Sequence, residues 1–192
     1  MKRYDMASLS SELSFREHLF LTREIGEQVY HLLEARLQQV SEGQPMILAF
    51  PQGHRIDASF ADESIVRLGE KIVGGEFGNR CILLEGLTDD SITNINAVIS
   101  LRRLKLAFLA VDLDGNWQCI GQLEPSLRET LEIVAQRRRL TAPELAGLKE
   151  LAINSASNRL KRLCDQRLVR REYRVSEKGL QYIYYFWQWV QD

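Results

Sequence analysis

The sequence predicts a mixed α/β domain followed by a smaller, mainly α-helical module that ends in a β-hairpin. Three observations lead there. Short apolar runs at residues 46–50 (MILAF) and 80–85 (RCILLE) alternate with amphipathic helical segments, the pattern of strands and helices stacked in layers. Beyond residue 124, helical periodicity dominates until a Val-, Tyr-, Ile- and Phe-rich stretch begins near residue 168. Charge divides at the same place: residues 1–123 carry 12 Lys+Arg against 17 Asp+Glu, a balance of −5, and residues 124–192 carry 13 against 9, a balance of +4. The 192 residues suit two small domains, and a hydrophobic content of 45% is enough for ordinary cores.

Residues 1–20 alternate poorly and read as weak β structure. From Thr22 to Val40, Ile25, Val29, Leu32, Leu33, Leu37 and Val40 recur at helical spacing, with Thr22 as cap and Glu24 in the first turn. Residues 46–50 follow as a buried strand, and a second helix runs from about Ser59 to Val73, where Gly74 and Gly75 stop it. Residues 80–85 form another buried strand, and Thr88 opens a helix carrying Ile92, Ile95, Val98 and Ile99. Residues 105–113 are strongly apolar, and Asp114-Gly115 marks a hairpin into residues 117–123. The expected sheet is partly parallel and closes with an antiparallel hairpin.

After a junction at Glu124-Pro125-Ser126, residues 127–139 form a helix with Leu127, Leu131, Val134 and Ala135 inward. Thr141-Ala142-Pro143-Glu144 is a capping box with proline in the first turn, so a short helix begins near Ala142. Asn154 or Ser155 caps the next helix, whose stripe of Ala156, Leu160 and Leu163 leaves Asn158, Arg159, Lys161 and Arg162 on the other side. Residues 168–175 and 180–187 then read as two strands around the turn residues Ser176-Glu177-Lys178-Gly179, and a C-terminal helix from Glu177 is the alternative. Tyr182, Tyr184, Tyr185, Phe186, Trp187 and Trp189 exceed what one strand hides, so they pack on the module's first helix or form an interface.

Several function classes are disfavoured. His18, His31 and His54 have no cysteine or second histidine at ligand spacing, so no metal is expected. The glycine-rich segment at residues 74–80 follows a helix and precedes a strand, the reverse of a phosphate-cradling loop. No nucleophile motif has supporting context, and neither catalysis nor a cofactor is expected. Cys81, Cys119 and Cys164 are scattered, which argues for a reducing compartment; with no signal-like or membrane-length apolar run, a cytoplasmic location is expected.

Two resemblances give these segments a function. The stretch ELA…NSASNRLKRLCDQRLVRRE resembles winged helix-turn-helix transcription regulators, in which a positioning helix, a recognition helix and a basic wing follow in this order. The run LTREIGEQVYHLL…MILAFPQGHRIDASFADESIVRL resembles the STAS-like family, relatives of anti-sigma factor antagonists, with FADE as its most specific part. Together they imply a STAS-like sandwich with a mixed sheet over residues 1–123 and a winged helix-turn-helix domain over residues 124–192. The implied protein is a DNA-binding transcription regulator, a homodimer on double-stranded DNA, whose front domain senses or pairs with a protein.

On that reading Ser155, Ser157 and Asn158 lie nearest the groove, Arg159, Lys161 and Arg162 face the duplex, and Arg170, Arg171, Arg174 and Lys178 meet phosphates. An asparagine amide can bond an adenine edge in two places, which makes Asn158 the best base reader of the set. In antagonists a serine at the helix start is phosphorylated, and Ser59 stands in the matching place; as a plain structural residue it is an N-cap, a role Asp57 fills equally well. Asp62 and Glu63 read as first-turn carboxylates or as an acidic pair. The competing function is a phospho-switch that pairs with an ATPase-type kinase and touches no DNA.

Overall fold

Strand β3 (Pro45–Ala49) is buried along its whole length, and the first half of the chain is built around it. The structure, a computed structural model, describes residues 2–16, 18–176 and 179–188. The chain divides into two compact units, Met1–Gln122 and Leu123–Asp192.

In the first unit five strands lie in the order β1 (Lys2–Asp5), β3, β5 (Cys81–Glu85), β6 (Ala107–Val111) and β7 (Trp117–Gly121). The first four are parallel, and β6–β7 is an antiparallel hairpin. Parallel strands need crossovers, which here are helical: α2 (Arg23–Gln38) leads into β3, and α5 (Asp89–Leu101) joins β5 to β6. Two short strands, β2 (Leu19–Phe20) and β4 (Arg55–Ile56), pair in parallel beside the sheet. Helix caps follow the side-chain chemistry: Thr22 accepts from the Ile25 N–H and Thr88 from the Ser91 N–H. The core unites Val29, Leu33 and Leu37 of α2 with Met46, Leu48, Leu84 and Phe108 of the sheet.

Three expectations need correction here. Among the described residues of the first twenty, only Lys2–Asp5 and Leu19–Phe20 are strands; Met6–Leu13 is a helix, α1, capped by Asp5, which accepts from the Ala7 N–H. Its buried Met6 and Leu9 are too few to announce a period. The second helix is composite: α3 (Ala58–Ala61) passes through a π-helical turn (Asp62–Val66) into α4 (Arg67–Val73). Its cap is Asp57 rather than Ser59, with a carboxylate oxygen 2.7 Å from the Phe60 nitrogen.

The second unit runs α6 (Pro125–Arg137), β8 (Arg139–Thr141), α7 (Ala142–Lys149), α8 (Ile153–Asp165), β9 (Val169–Ser176) and β10 (Gly179–Phe186). Its sheet has the order β8-β10-β9, antiparallel throughout. The Thr141–Glu144 capping box is present in both directions. The alternative helix from Glu177 is not formed: Gly179–Phe186 is a strand. Proline at the first position starts α6 at Pro125, two residues before the expected start, and β8 was not anticipated. Three residues give no alternation to read, and β8 is recognisable only once β10 pairs with it. Leu127, Leu131, Val134, Leu140, Leu145, Leu160, Leu163, Tyr184 and Phe186 are buried. Trp187 is buried too, its indole N–H donating to the Arg167 carbonyl at 3.1 Å, whereas Trp189 lies outside the described residues.

Candidate nucleic-acid interface

Helix α8 owes its two-sidedness to three residues. Ala156, Leu160 and Leu163 are fully buried, so the opposite side of a 3.6-residue period falls on Asn154, Asn158, Lys161 and Asp165, all exposed. The helix begins earlier than the capping residues suggest. Its N-cap is Ala152, in extended conformation and without a side-chain cap bond, so neither Asn154 nor Ser155 serves as cap. Asn154 is instead the second helical residue, one turn before Asn158 on the same face. In the sequence Asn154 carries only the ordinary signature of a cap, an asparagine before an apolar-periodic segment.

The cations are not equivalent. Arg162 forks across the Glu124 carboxylate at 2.8 and 2.5 Å, and Arg159 lies 3.6 Å from Glu129, which also binds Lys149. Both arginines thus point along the flank toward α6 rather than away from the unit. Lys161 reaches Asp165 one turn on, at 2.6 Å. Ser155 is exposed and Ser157 half-buried.

On the hairpin, Arg170 pairs with Glu172 at 2.7 Å and sits 4.7 Å above the Tyr185 ring. Arg171 lies 4.5 Å above the Tyr182 ring and hydrogen-bonds Tyr184. Arg171 and Arg174 form no ion pair with any described residue. Lys178 lies outside the described residues. The structure adds a basic run that the site reading left out: Arg137, Arg138 and Arg139 are consecutive and exposed at the turn from α6 to β8, with Arg138 at φ 64°.

In the first unit Asp57 is fully engaged. One carboxylate oxygen accepts from the Phe60 N–H and the other from the Thr22 N–H at 3.0 Å, which holds the entry to α2. Ser59 is exposed, one residue into α3 beyond its first position. A cleft of about 200 Å³ beside Asp57 is also lined by Arg55, Asp90 and Asn94. Asp62 and Glu63 are not a helix-start pair; they lie in the π-helical turn, where Asp62 meets Arg23 and Arg102 and Glu63 meets Arg23 and Arg67.

His54 is buried between Phe20 and Phe50. Its Nδ1 is 2.8 Å from the Pro51 carbonyl oxygen and its Nε2 3.1 Å from Ser91 Oγ, which in turn lies 2.8 Å from Thr88 Oγ1. Burial pushes its pKa below the ordinary histidine value. No group of three or more His, Cys, Asp or Glu side chains that would hold a metal ion occurs among the described residues, and no helix among them is long and apolar enough to cross a membrane. Compared with known proteins, the chain matches no protein-family model and no curated sequence.

Proposed function

We propose that the protein is a DNA-binding transcriptional regulator, with a winged helix-turn-helix module in residues 123–192 and a STAS-like domain before it that senses a signal or binds a protein. The observation that carries this reading is the solvent face of α8. A helix with a fully apolar back presents two asparagines one turn apart, Asn154 and Asn158, and then Lys161. A helix of this kind fits the major groove, where amides read adenine edges and ammonium groups meet phosphates. The succession of α6, β8, α7, α8 and a two-stranded ribbon supports the same reading, because the ribbon follows the candidate recognition helix directly.

The STAS-like reading of the first unit rests on the parallel β1-β3-β5-β6 arrangement with helical crossovers and on Asp57 at the head of the helix that contains the FADE segment. The regulator acts as a homodimer on a two-half-site operator, since one such helix contacts too few base pairs for specificity. The experiment is a mobility shift on pooled genomic duplex fragments at two salt concentrations. Wild-type protein is expected to bind at low salt, Arg174→Ala lowering the salt slope by about 1, Lys161→Ala, whose ammonium is paired with Asp165, lowering it by less, and Asn158→Ala relaxing the sequence preference. No shift at low salt, with all three variants indistinguishable from wild type, excludes the reading.

A further inference from the structure

At its outer end the β9–β10 ribbon has two faces of different character. Directly opposed residues, and residues two apart along a strand, project from the same side of a sheet. Tyr173 lies opposite Tyr182 and Val175 opposite Leu180, so these four share one face. At its inner end the same face carries Val169, Tyr184 and Phe186, all buried. Further out the burial stops while the apolar character continues: Tyr173 is 69% exposed, Val175 75%, Leu180 56% and Tyr182 41%. The other face bears Arg174 and Gln181 at its outer end, and Arg170 and Glu172 beside Ile183 and Tyr185 at its inner end.

Charge narrows what covers the exposed part. Arg159, Lys161, Arg162 and Arg170 are each matched by a carboxylate within the unit. Arg171, on the aromatic face, has no carboxylate partner among the described residues, and its guanidinium carbon lies 4.5 Å above the Tyr182 ring. Glu172, the one carboxylate in the described part of the ribbon, projects from the opposite side and is engaged with Arg170. A face of paired aromatic rings with an arginine that has no carboxylate partner, and with no acid on it among the described residues, suits a polyanion whose units have flat apolar surfaces. Duplex DNA keeps its base faces hidden in the stack, whereas unpaired nucleotides offer both the faces and the phosphates.

We propose that the aromatic face of the ribbon binds unpaired nucleotides, with bases stacked on Tyr173 and Tyr182 and the backbone phosphate met by Arg171. The proposal rests on the nucleic-acid reading of this unit and adds a second substrate class to it, single-stranded DNA or the opened strand of a melted duplex. Base stacking tolerates any sequence, so this contact supplies affinity for an unpaired state rather than for an operator.

The test uses the full chain and fluorescence anisotropy with two probes, a labelled oligo(dT) and a mixed-sequence duplex. Tyr173→Ala and Tyr182→Ala are each expected to weaken oligo(dT) binding about tenfold or more while leaving duplex binding nearly unchanged, because a ring stacks on a base but not on a paired step. Tyr173→Phe is expected to bind like wild type, since the ring and not the hydroxyl makes the contact. Both tyrosines are exposed, and an unchanged circular-dichroism melt verifies that each variant is folded. The proposal is overturned if duplex binds while oligo(dT) does not, or if oligo(dT) binds equally to all variants. It is also overturned if the alanine variants turn a dimer into a monomer without loss of oligo(dT) affinity, which assigns the face to a second copy. If neither probe binds wild type, the nucleic-acid reading itself fails first.

Discussion

His54 shows how one side chain fixes a local structure. Its two ring nitrogens join the Pro51 carbonyl to Ser91 at the start of α5, so the ring ties the turn after β3 to a helix 37 positions away in sequence. Its burial between aromatic rings disfavours the imidazolium, and a nearby His18 acts in the same direction. The folded state therefore keeps His54 neutral at a pH where the unfolded chain takes up a proton. Stability from this group is full above the unfolded value, about 6.5, and is lost as pH falls from there toward the depressed folded value. The first unit is expected to lose urea resistance between pH 7 and 5, read by hydrogen exchange on peptides covering residues 46–60. His54→Ala is expected to cost about 2–4 kcal/mol at pH 7 and to flatten that pH dependence. An unaltered pH profile in the variant refutes the assignment. Nothing in the sequence announced this residue. A histidine after Pro-Gln-Gly looks like a solvated loop, and only the fold brings Ser91 and Phe20 to it.

At the scale of elements, the sequence was most legible where local chemistry decides the structure. The Thr141–Glu144 box, the Thr22 and Thr88 caps and the Asp114-Gly115 turn all rest on neighbours within four residues, and each is found as the residues suggest. Legibility failed where partners are distant. Strand β8 exists through pairing with β10, and α8 starts after the turn that follows α7 with Ala152 as its cap and no side-chain cap bond from its asparagine or serine. In that turn Glu150 adopts φ 51°, a left-handed conformation in which a side chain is strained. Glycine relieves the strain and loses part of the gain to its freer unfolded chain. Glu150→Gly is expected to stabilise the second unit by about 0.5–1 kcal/mol, measured as a rise in the melting temperature followed at peptides of α7 and α8. A fall instead means that the Glu150 side chain makes a contact worth more than the strain.

For the molecule as a whole, the charge difference between the two halves was readable from composition, but the state of the charges was not. Counting charges over residues 124–192 gives a surplus of +4. In the folded unit Arg162 is clasped by Glu124, Glu129 holds both Lys149 and Arg159, and Asp165 holds Lys161. These pairs are exposed enough to contribute little to stability. On the proposed DNA-binding reading they matter differently, because α6 supplies carboxylates that compete with phosphate for the same guanidinium groups. Salt loosens both competitors, so the slope of log affinity against log salt is expected to be shallower than the number of cations implies. Glu124→Gln and Glu129→Gln remove the competitor and are expected to tighten duplex binding and steepen the slope, as titrations at 50 and 200 mM salt would reveal. A slope that does not change in either variant means that Arg159 and Arg162 never leave α6. On the proposed DNA-binding reading, the acidic flank of α6 is an internal counterion store, a stand-in for DNA phosphate that Arg159 and Arg162 exchange on contact.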